Sequence, residues 1–198
     1  MAGAADRDAP LAFSCGCGAL RGDISPAGLR HGTHVECFCA DCRANELAHR
    51  QPDPAPDPVD LFQMAAHHVR FTAGQEHLAL LRLSPKGLLR WYAGCCGTPM
   101  FNTLASPALA FAAIRGPRLA DPARLGPVRG RGFVPRPGGK PKMEGMAPVL
   151  WGLASRALAA RISGKWRANP FFDDNGAPIV PAGVLSRAER AALYPDRR

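Results

Sequence analysis

The chain has 198 residues and a formal charge of +9, with 46% apolar and 21% charged residues, enough apolar material for one packed domain without extra staples. Its 21 glycines and 20 prolines argue against a helix bundle and for many short elements joined by turns. No apolar run approaches the ~18 residues of a membrane span, and the opening residues carry acids and lack the apolar stretch of a secretory signal, so a cytoplasmic protein with no membrane partner is expected.

Residues 1–10 read as a loose leader. Residues 19–24 suit a short strand closed by Ser25-Pro26, and residues 32–37, with Thr33 and Val35, lead into a cysteine group. QPDPAPDP over residues 51–58 is an extended polar loop. Residues 61–71 are ambiguous between helix and strand, but Val69 to Thr72 followed by Ala73-Gly74 predicts a strand and a turn. Two strands, 78–83 and 87–92, are joined by Ser84-Pro85-Lys86-Gly87, which has proline at the second position of a turn. Alternation puts one of Trp91 and Tyr92 inward. Residues 108–115 suit a further strand. Strands this short, spaced by turns, predict a mainly antiparallel β domain over residues 11–114.

The rest, residues 115–198, reads as an extension containing one or two helices. Residues 148–162 carry Leu150, Leu153, Leu158 and Ile162 as a helical stripe, stopped at Gly164. Ser186 and Glu189 form a capping box that opens a short helix through Leu193. Trp166, Phe171 and Phe172 are expected to cap the domain, and Asn175-Gly176 to turn. His67-His68 lacks a partner at metal-ligand spacing and is expected to pack on a sheet or lie at the surface.

Charge is unevenly spread. Residues 1–104 hold 9 basic and 10 acidic side chains, whereas residues 105–198 hold 16 and 6. From Arg115 to Lys142 there are eight basic residues, six prolines and six glycines against Asp121 alone. Such a segment is no helix and a poor central strand. It reads as a solvated connector or as a contact for an anion. Phe133 is its only aromatic ring, too few for stacking along a nucleic acid, which makes nucleic acid the less favoured partner.

All seven cysteines fall in three groups: Cys15 and Cys17; Cys37, Cys39 and Cys42; Cys95 and Cys96. An odd number of clustered thiols without a signal sequence points to metal rather than disulfides. Thiolates suit Zn²⁺, which takes four ligands in closed structural sites and three plus an open position in catalytic ones. Four thiolates from 15/17 and 95/96 would make a structural site, and Cys37, Cys39 and Cys42 a catalytic one, for one or two zinc ions. A thioredoxin-like centre at Cys39-Ala40-Asp41-Cys42 would need this motif to open a helix in a βαβ setting, which the surrounding pattern does not suggest.

At these residues the chain resembles the glutathione-dependent formaldehyde-activating enzyme family, which includes centromere protein V. The resemblance covers about residues 11–114 and rests on Cys15-Gly16-Cys17-Gly18, Cys37-Phe38-Cys39-Ala40-Asp41-Cys42-Arg43, a strand ending in Gly74, and Arg90-Trp91-Tyr92-Ala93-Gly94-Cys95-Cys96-Gly97-Thr98-Pro99-Met100. It implies a β-tent of antiparallel sheets around zinc and a carbon–sulfur lyase-type activity, in which zinc holds the thiolate of glutathione as it adds to formaldehyde. By the resemblance, Cys37, Cys39 and Cys42 fall on the catalytic-type ligands, and Cys15, Cys17 and Cys96 on three structural-type ligands. Ala93 stands where the family has a cysteine. This leaves Cys95 as the fourth structural ligand, a free thiol, or a ligand elsewhere. The reaction also needs a proton carrier. Asp41, His34, Glu46 and His49 lie near in sequence, although Asp41 also suits a turn and the others a solvated face. The competing reading is a non-catalytic zinc-stabilised binding module whose basic segment meets an anionic partner.

Overall fold

The structure is a computed structural model that describes residues 8–194. The described chain is mainly β, with two sheets and four helices. Residues 1–7 of the expected leader lie outside the described residues. Asp8 pairs with Arg30 at 2.8 Å, and the carbonyls of Ala9 and Pro10 accept from Arg124.

A three-stranded antiparallel sheet is made of β1 (Leu11–Ser14), β2 (Arg21–Ile24) and β5 (Val69–Ala73). The large sheet uses β3 (Thr33–Cys37), β4 (Val59–Met64), β6 (Leu78–Arg82), β7 (Leu89–Ala93), β8 (Thr98–Thr103), β9 (Ala112–Arg115), β10 (Gly130–Val134), β11 (Lys142–Glu144) and β12 (Ala182–Val184). Its order is β11-β10-β3-β4-β9-β8-β7-β6-β12. The expected antiparallel pairing holds except near the two ends, where β10 joins β3 and β12 joins β6 in parallel. Both parallel strands come from beyond residue 115, so the C-terminal part of the chain returns to the same sheet.

Turn chemistry places several strands as the residues demand. Gly87 N–H donates to Ser84 C=O at 3.0 Å and closes the β6–β7 hairpin. Gly74 takes φ +70° after β5, where a side chain would strike the Ala19 carbonyl. Two elements escape the sequence pattern. β8 is buried at all six residues, so both its faces are covered and it shows no alternation. Ser25, read as a strand stop, is the N-cap of α1 (Pro26–His31), accepting from Gly28 N–H.

Phe13, Phe71, Phe101 and Phe171 join in edge-to-face contacts with centroids 5.1–6.0 Å apart. They tie the small sheet to the large one. Trp91 is the inward residue of its pair and donates Nε1–H to Thr103 Oγ1 at 2.9 Å, whereas Tyr92 lies against the His49 ring. Phe171 and Phe172 pack on Trp91, as a domain cap should. The Asn175-Gly176 turn is present, with Gly176 at φ +79°.

The second half departs from expectation in two places. Helix α3 (Met146–Ile162) forms, but the predicted stripe is not its packed face. Leu150, Leu158 and Ile162 are exposed, while Val149, Arg156 and Ala160 are buried. Apolar residues surround this helix, so periodicity cannot select a face. The choice falls to Arg156, which reaches the His31 carbonyl at 2.9 Å and Thr33 Oγ1 at 2.8 Å. The basic segment is not simply a solvated connector either. Between Pro127 and Pro135 it forms β10, the penultimate strand, which keeps its irregularity through a shifted register before Val134 and φ +60° at Phe133. Helix α4 (Arg187–Ala192) carries the predicted capping box, with Ser186 Oγ accepting from Glu189 N–H at 3.2 Å and Glu189 Oε2 accepting from Ser186 N–H at 2.8 Å.

One contact makes fold stability depend on pH. His34 bonds Asp60 Oδ1 through Nε2 at 2.6 Å and the Gly126 carbonyl through Nδ1 at 2.8 Å. Both partners are acceptors, which favours the imidazolium, and the Asp60 hydrogen bond raises the His34 pKa despite burial. Its stabilisation is complete below the unfolded value of about 6.5 and disappears as pH rises through the raised folded value. Urea titrations of the parent and His34→Gln should differ most near pH 6 and converge in alkaline buffer. A constant gap would show that His34 acts through packing alone.

Candidate metal centres

The first centre gathers two loops. β1 runs into a tight turn at Cys15–Gly18, in which Gly18 N–H bonds the Cys15 carbonyl at 3.0 Å. Leu20 N–H donates to Cys15 Sγ at 3.3 Å, and Gly16 N–H to Thr98 Oγ1 at 3.0 Å. On the other side, the N–H groups of Cys96 and Gly97 both bond the Ala93 carbonyl, at 3.2 and 2.8 Å. This winds the chain into one turn, with Gly97 at φ +70°, and brings two adjacent cysteines to the same place. The four sulfurs of Cys15, Cys17, Cys95 and Cys96 lie within 4.8 Å of one another. Cys15–Cys17, Cys15–Cys95, Cys17–Cys95 and Cys95–Cys96 are 3.5, 3.9, 3.4 and 3.9 Å apart. Zn–S bonds of about 2.3 Å give a tetrahedron with edges of about 3.8 Å, so this set fits a thiolate-bound metal. Cys95 therefore belongs with Cys15 and Cys17. Ala93, where the resemblance leads one to look for a thiol, is buried in the apolar core. Burial works against ionisation of Cys96, but bonds from the Thr98 hydroxyl and from backbone at Cys17 and Thr98 bring it down to about 6.

The second centre has three sulfurs. Cys37 ends β3. Cys39 is the N-cap of α2 (Ala40–Ala48), its Sγ accepting from Cys42 N–H at 3.3 Å, and Cys42 lies in the first turn. Phe38 N–H bonds the Gly132 carbonyl of β10 at 2.9 Å and fixes the loop between them. Contrary to expectation, the motif does open a helix. The strands around that helix, β3 and β4, are antiparallel, so the setting is not that of a thioredoxin. The three sulfurs lie within 4.8 Å of one another. Hydrogen bonds from Cys37 and Cys42 hold the Cys39 pKa far below that of a free thiol, against burial and with help from the Arg90 charge, while Cys37 is pushed up to about 11 and Cys42 is also raised well above a free thiol, by its bonds to Cys37 and Cys39 and by burial. The bare trio thus carries one negative charge readily, and a cation among the sulfurs is what would stabilise more. Two clusters able to hold metal, consistent with zinc, are present among the described residues.

The two centres differ in what faces them. Cys37, Cys39 and Cys42 line a cavity of about 360 Å³ with mostly apolar walls, within the range of small-molecule sites. Arg90 and Asn102 contribute to its lining, and Arg90 is only 3% exposed. Arg90 Nη1 donates to Asn102 Oδ1 over a long 3.4 Å. Gln63, on the same lining, has a buried Oε1 without a hydrogen-bond partner. Asp41 also faces this cavity and accepts a short 2.5 Å hydrogen bond from Tyr194 Oη, beyond α4.

Of the proton-carrier candidates, Asp41 alone joins this cavity. Against the expectation of a solvated face, Glu46 is buried and His34 and His49 are half-buried. His34 is committed to Asp60 and Gly126. Glu46 is buried and forms an ion pair with Arg115 at 2.9 Å, away from ideal hydrogen-bond alignment. Burial, and then the Arg90 charge, lower the His49 pKa to about 4. His67 and His68 lie in a short turn with rings 4.2 Å apart and outside both sulfur clusters. Sequence reasoning missed Arg90, Asn102 and Tyr194. A guanidinium inside the apolar run Leu88-Leu89-Arg90-Trp91-Tyr92 was the available signal.

Part of the basic segment is engaged within the fold, while Arg129, Arg131, Arg136, Lys140 and Lys142 are exposed. Arg115 pairs with Glu46, Arg118 donates to the Pro99 carbonyl, Arg124 to Ala9 and Pro10, and Arg131 pairs with Glu36 at 2.6 Å.

A mainly β chain with two cysteine clusters able to bind metal is the class that fold and site define. Within that class, the protein belongs to the family of unknown function DUF6151, which matches residues 7–139 and so spans both clusters and strands β1 to β10. No curated protein matches the sequence. The crystal structure of a Rhodobacter sphaeroides protein is similar at a TM-score of 0.42 and 18% identity, over 61% of this chain and 98% of that one. No helix among the described residues is long and apolar enough to cross a membrane.

Proposed function

We propose that the protein is a zinc-dependent carbon–sulfur lyase-type enzyme acting on the adduct of a small acidic thiol and an aldehyde, with the two-sheet β-tent of the glutathione-dependent formaldehyde-activating family. The observation that carries this reading is the asymmetry of the centres. One collects four protein sulfurs, whereas the other collects three at the wall of a ligand-sized cavity. Bound zinc would lower the pKa of a coordinated thiol and polarise a carbonyl. Cys15, Cys17, Cys95 and Cys96 would hold a structural ion, and Cys37, Cys39 and Cys42 the ion at the cavity.

The remaining work falls to the cavity's own side chains. In the forward direction a C–S bond forms, the thiol gives up its proton, and the former carbonyl oxygen gains one. Asp41 is the carrier, taking the thiol proton and returning it to that oxygen, and its Oδ1 is oriented by Tyr194 Oη. Arg90 supplies positive charge for the acidic thiol, which makes glutathione the thiol to test first. The apolar walls of Leu61, Phe111 and Val149 keep bulk water from the aldehyde carbon.

Metal-edge X-ray absorption with and without glutathione, paired with NMR of formaldehyde–glutathione mixtures, tests this. The expected result is an average of more than three sulfurs per zinc that rises toward four with glutathione, and faster S-hydroxymethylglutathione formation. Four protein sulfurs at every zinc and no response to thiol would refute it.

A further inference from the structure

A second cavity, of about 500 Å³, lies between α1, the turn at residues 66–68 and α3, apart from both cysteine clusters. Its titratable lining is His31, His67, His68, Arg156 and Lys165, and no acidic side chain is among the residues that form it. The sequence hides this arrangement. His67-His68 looks like an isolated pair, and Arg156 interrupts an apolar helix. The fold brings them to one wall.

Arg156 is unusual for a guanidinium. It is 8% exposed, and among the described residues no carboxylate pairs with it and its buried Nη2 has no hydrogen-bond partner. Its Nη1 is held by the His31 carbonyl and Thr33 Oγ1. Gly152 makes room for this, since a side chain there would stand 2.8 Å from both Nη1 and Thr33 Oγ1. Burial lowers its pKa to about 10, which still leaves it charged at neutral pH. A buried unpaired charge is costly, so a group that supplies the opposite charge binds with a large gain.

The histidines complete the polarity. Ser25 Oγ receives Gly28 N–H, which leaves its own proton for His68 Nδ1 at 2.8 Å. His67 Nδ1 is buried without a partner. Burial first, and then the neighbouring charges of His67, His31, Lys165 and Arg156, depress His68 to about 4; burial and Lys165 also lower His67. Without an anion both rings are therefore biased toward the neutral form.

We infer that this cavity binds the phosphate group of a small phosphate monoester, with Arg156 and Lys165 on the phosphate oxygens and the His67–His68 pair beside them. A phosphate dianion supplies acceptors for the unpartnered Nη2 and for ring N–H groups. The cavity is larger than phosphate alone and leaves room for an organic body.

Calorimetric titration of the full chain with phenyl phosphate tests the site. Saturable binding is expected. Because the anion favours imidazolium over neutral imidazole, binding should take up protons, and the observed heat should change with the ionisation enthalpy of the buffer. Arg156→Gln should weaken binding at least about tenfold, the scale of a lost charge-assisted hydrogen bond. Lys165 is exposed, so Lys165→Ala keeps the fold and should weaken binding several-fold, which guards against misfolding of the first variant. No saturable heat, or affinity unchanged in Lys165→Ala and in folded Arg156→Gln, would overturn the proposal.

Discussion

Cys39→Ala is expected to lower zinc from about two ions per chain to about one and to abolish thiol–aldehyde activity, while the sheets remain folded. Cys39 is one of only three sulfurs in its centre, and two thiolates do not make a closed or a catalytic zinc site. The same side chain caps α2 through Cys42 N–H. Losing an N-cap costs about 1 kcal/mol, or roughly 2–4 °C in a domain of this size. Cys39→Ser separates the two roles, because serine caps a helix well and binds zinc poorly. Zinc by mass spectrometry should fall equally in both variants, with Tm falling further in the alanine variant. Full zinc retention in Cys39→Ala would sink the assignment of this centre.

The effect at the four-sulfur centre is expected to be on the fold itself. Cys15 is buried in the main core, between β1 and Leu20, and its partners Cys95 and Cys96 leave β7 on the other side. A metal there would crosslink the small sheet to the β7–β8 hairpin. Structural zinc contributes folding free energy directly. Loss of even about 3 kcal/mol would lower Tm by roughly 6–12 °C. Cys15→Ala should therefore unfold at markedly lower temperature, and a strong chelator should do little more to it than it does unaided. In the parent, the chelator should reproduce the loss. If Cys15→Ala melts with the parent and retains both ions, the four sulfurs are not a structural metal site.

These two outcomes distinguish the centres by consequence. One variant would be folded and inactive, and the other destabilised throughout. That difference follows from location. In the four-sulfur group Cys15 is buried in the main core while Cys17 and Cys95 are exposed, so a metal there would tie the core to surface loops; the three-sulfur group borders a cavity.

Much was legible in the sequence, for local reasons. The three cysteine groups were readable as candidate metal ligands because closely spaced thiols can converge through a single turn, and the structure gathers them into two clusters that could hold metal. The Ser84–Gly87 turn, the strand ending at Gly74 and the Ser186–Glu189 capping box depend on neighbours within a few residues, and the structure contains each of them. Tertiary structure decided what depends on distant partners. It brought Cys95 to Cys15 and Cys17 by winding the chain after β7. It buried β8 on both sides and so erased its alternation. It turned Arg156, rather than the leucines of α3, toward β3, because a carbonyl and a hydroxyl waited there and Gly152 made room. It set Arg90 and Asn102 beside three thiols from another part of the chain. Periodicity and spacing report what one segment can do; which face is covered, and which charges meet in a cavity, is determined by residues that the segment itself does not contain.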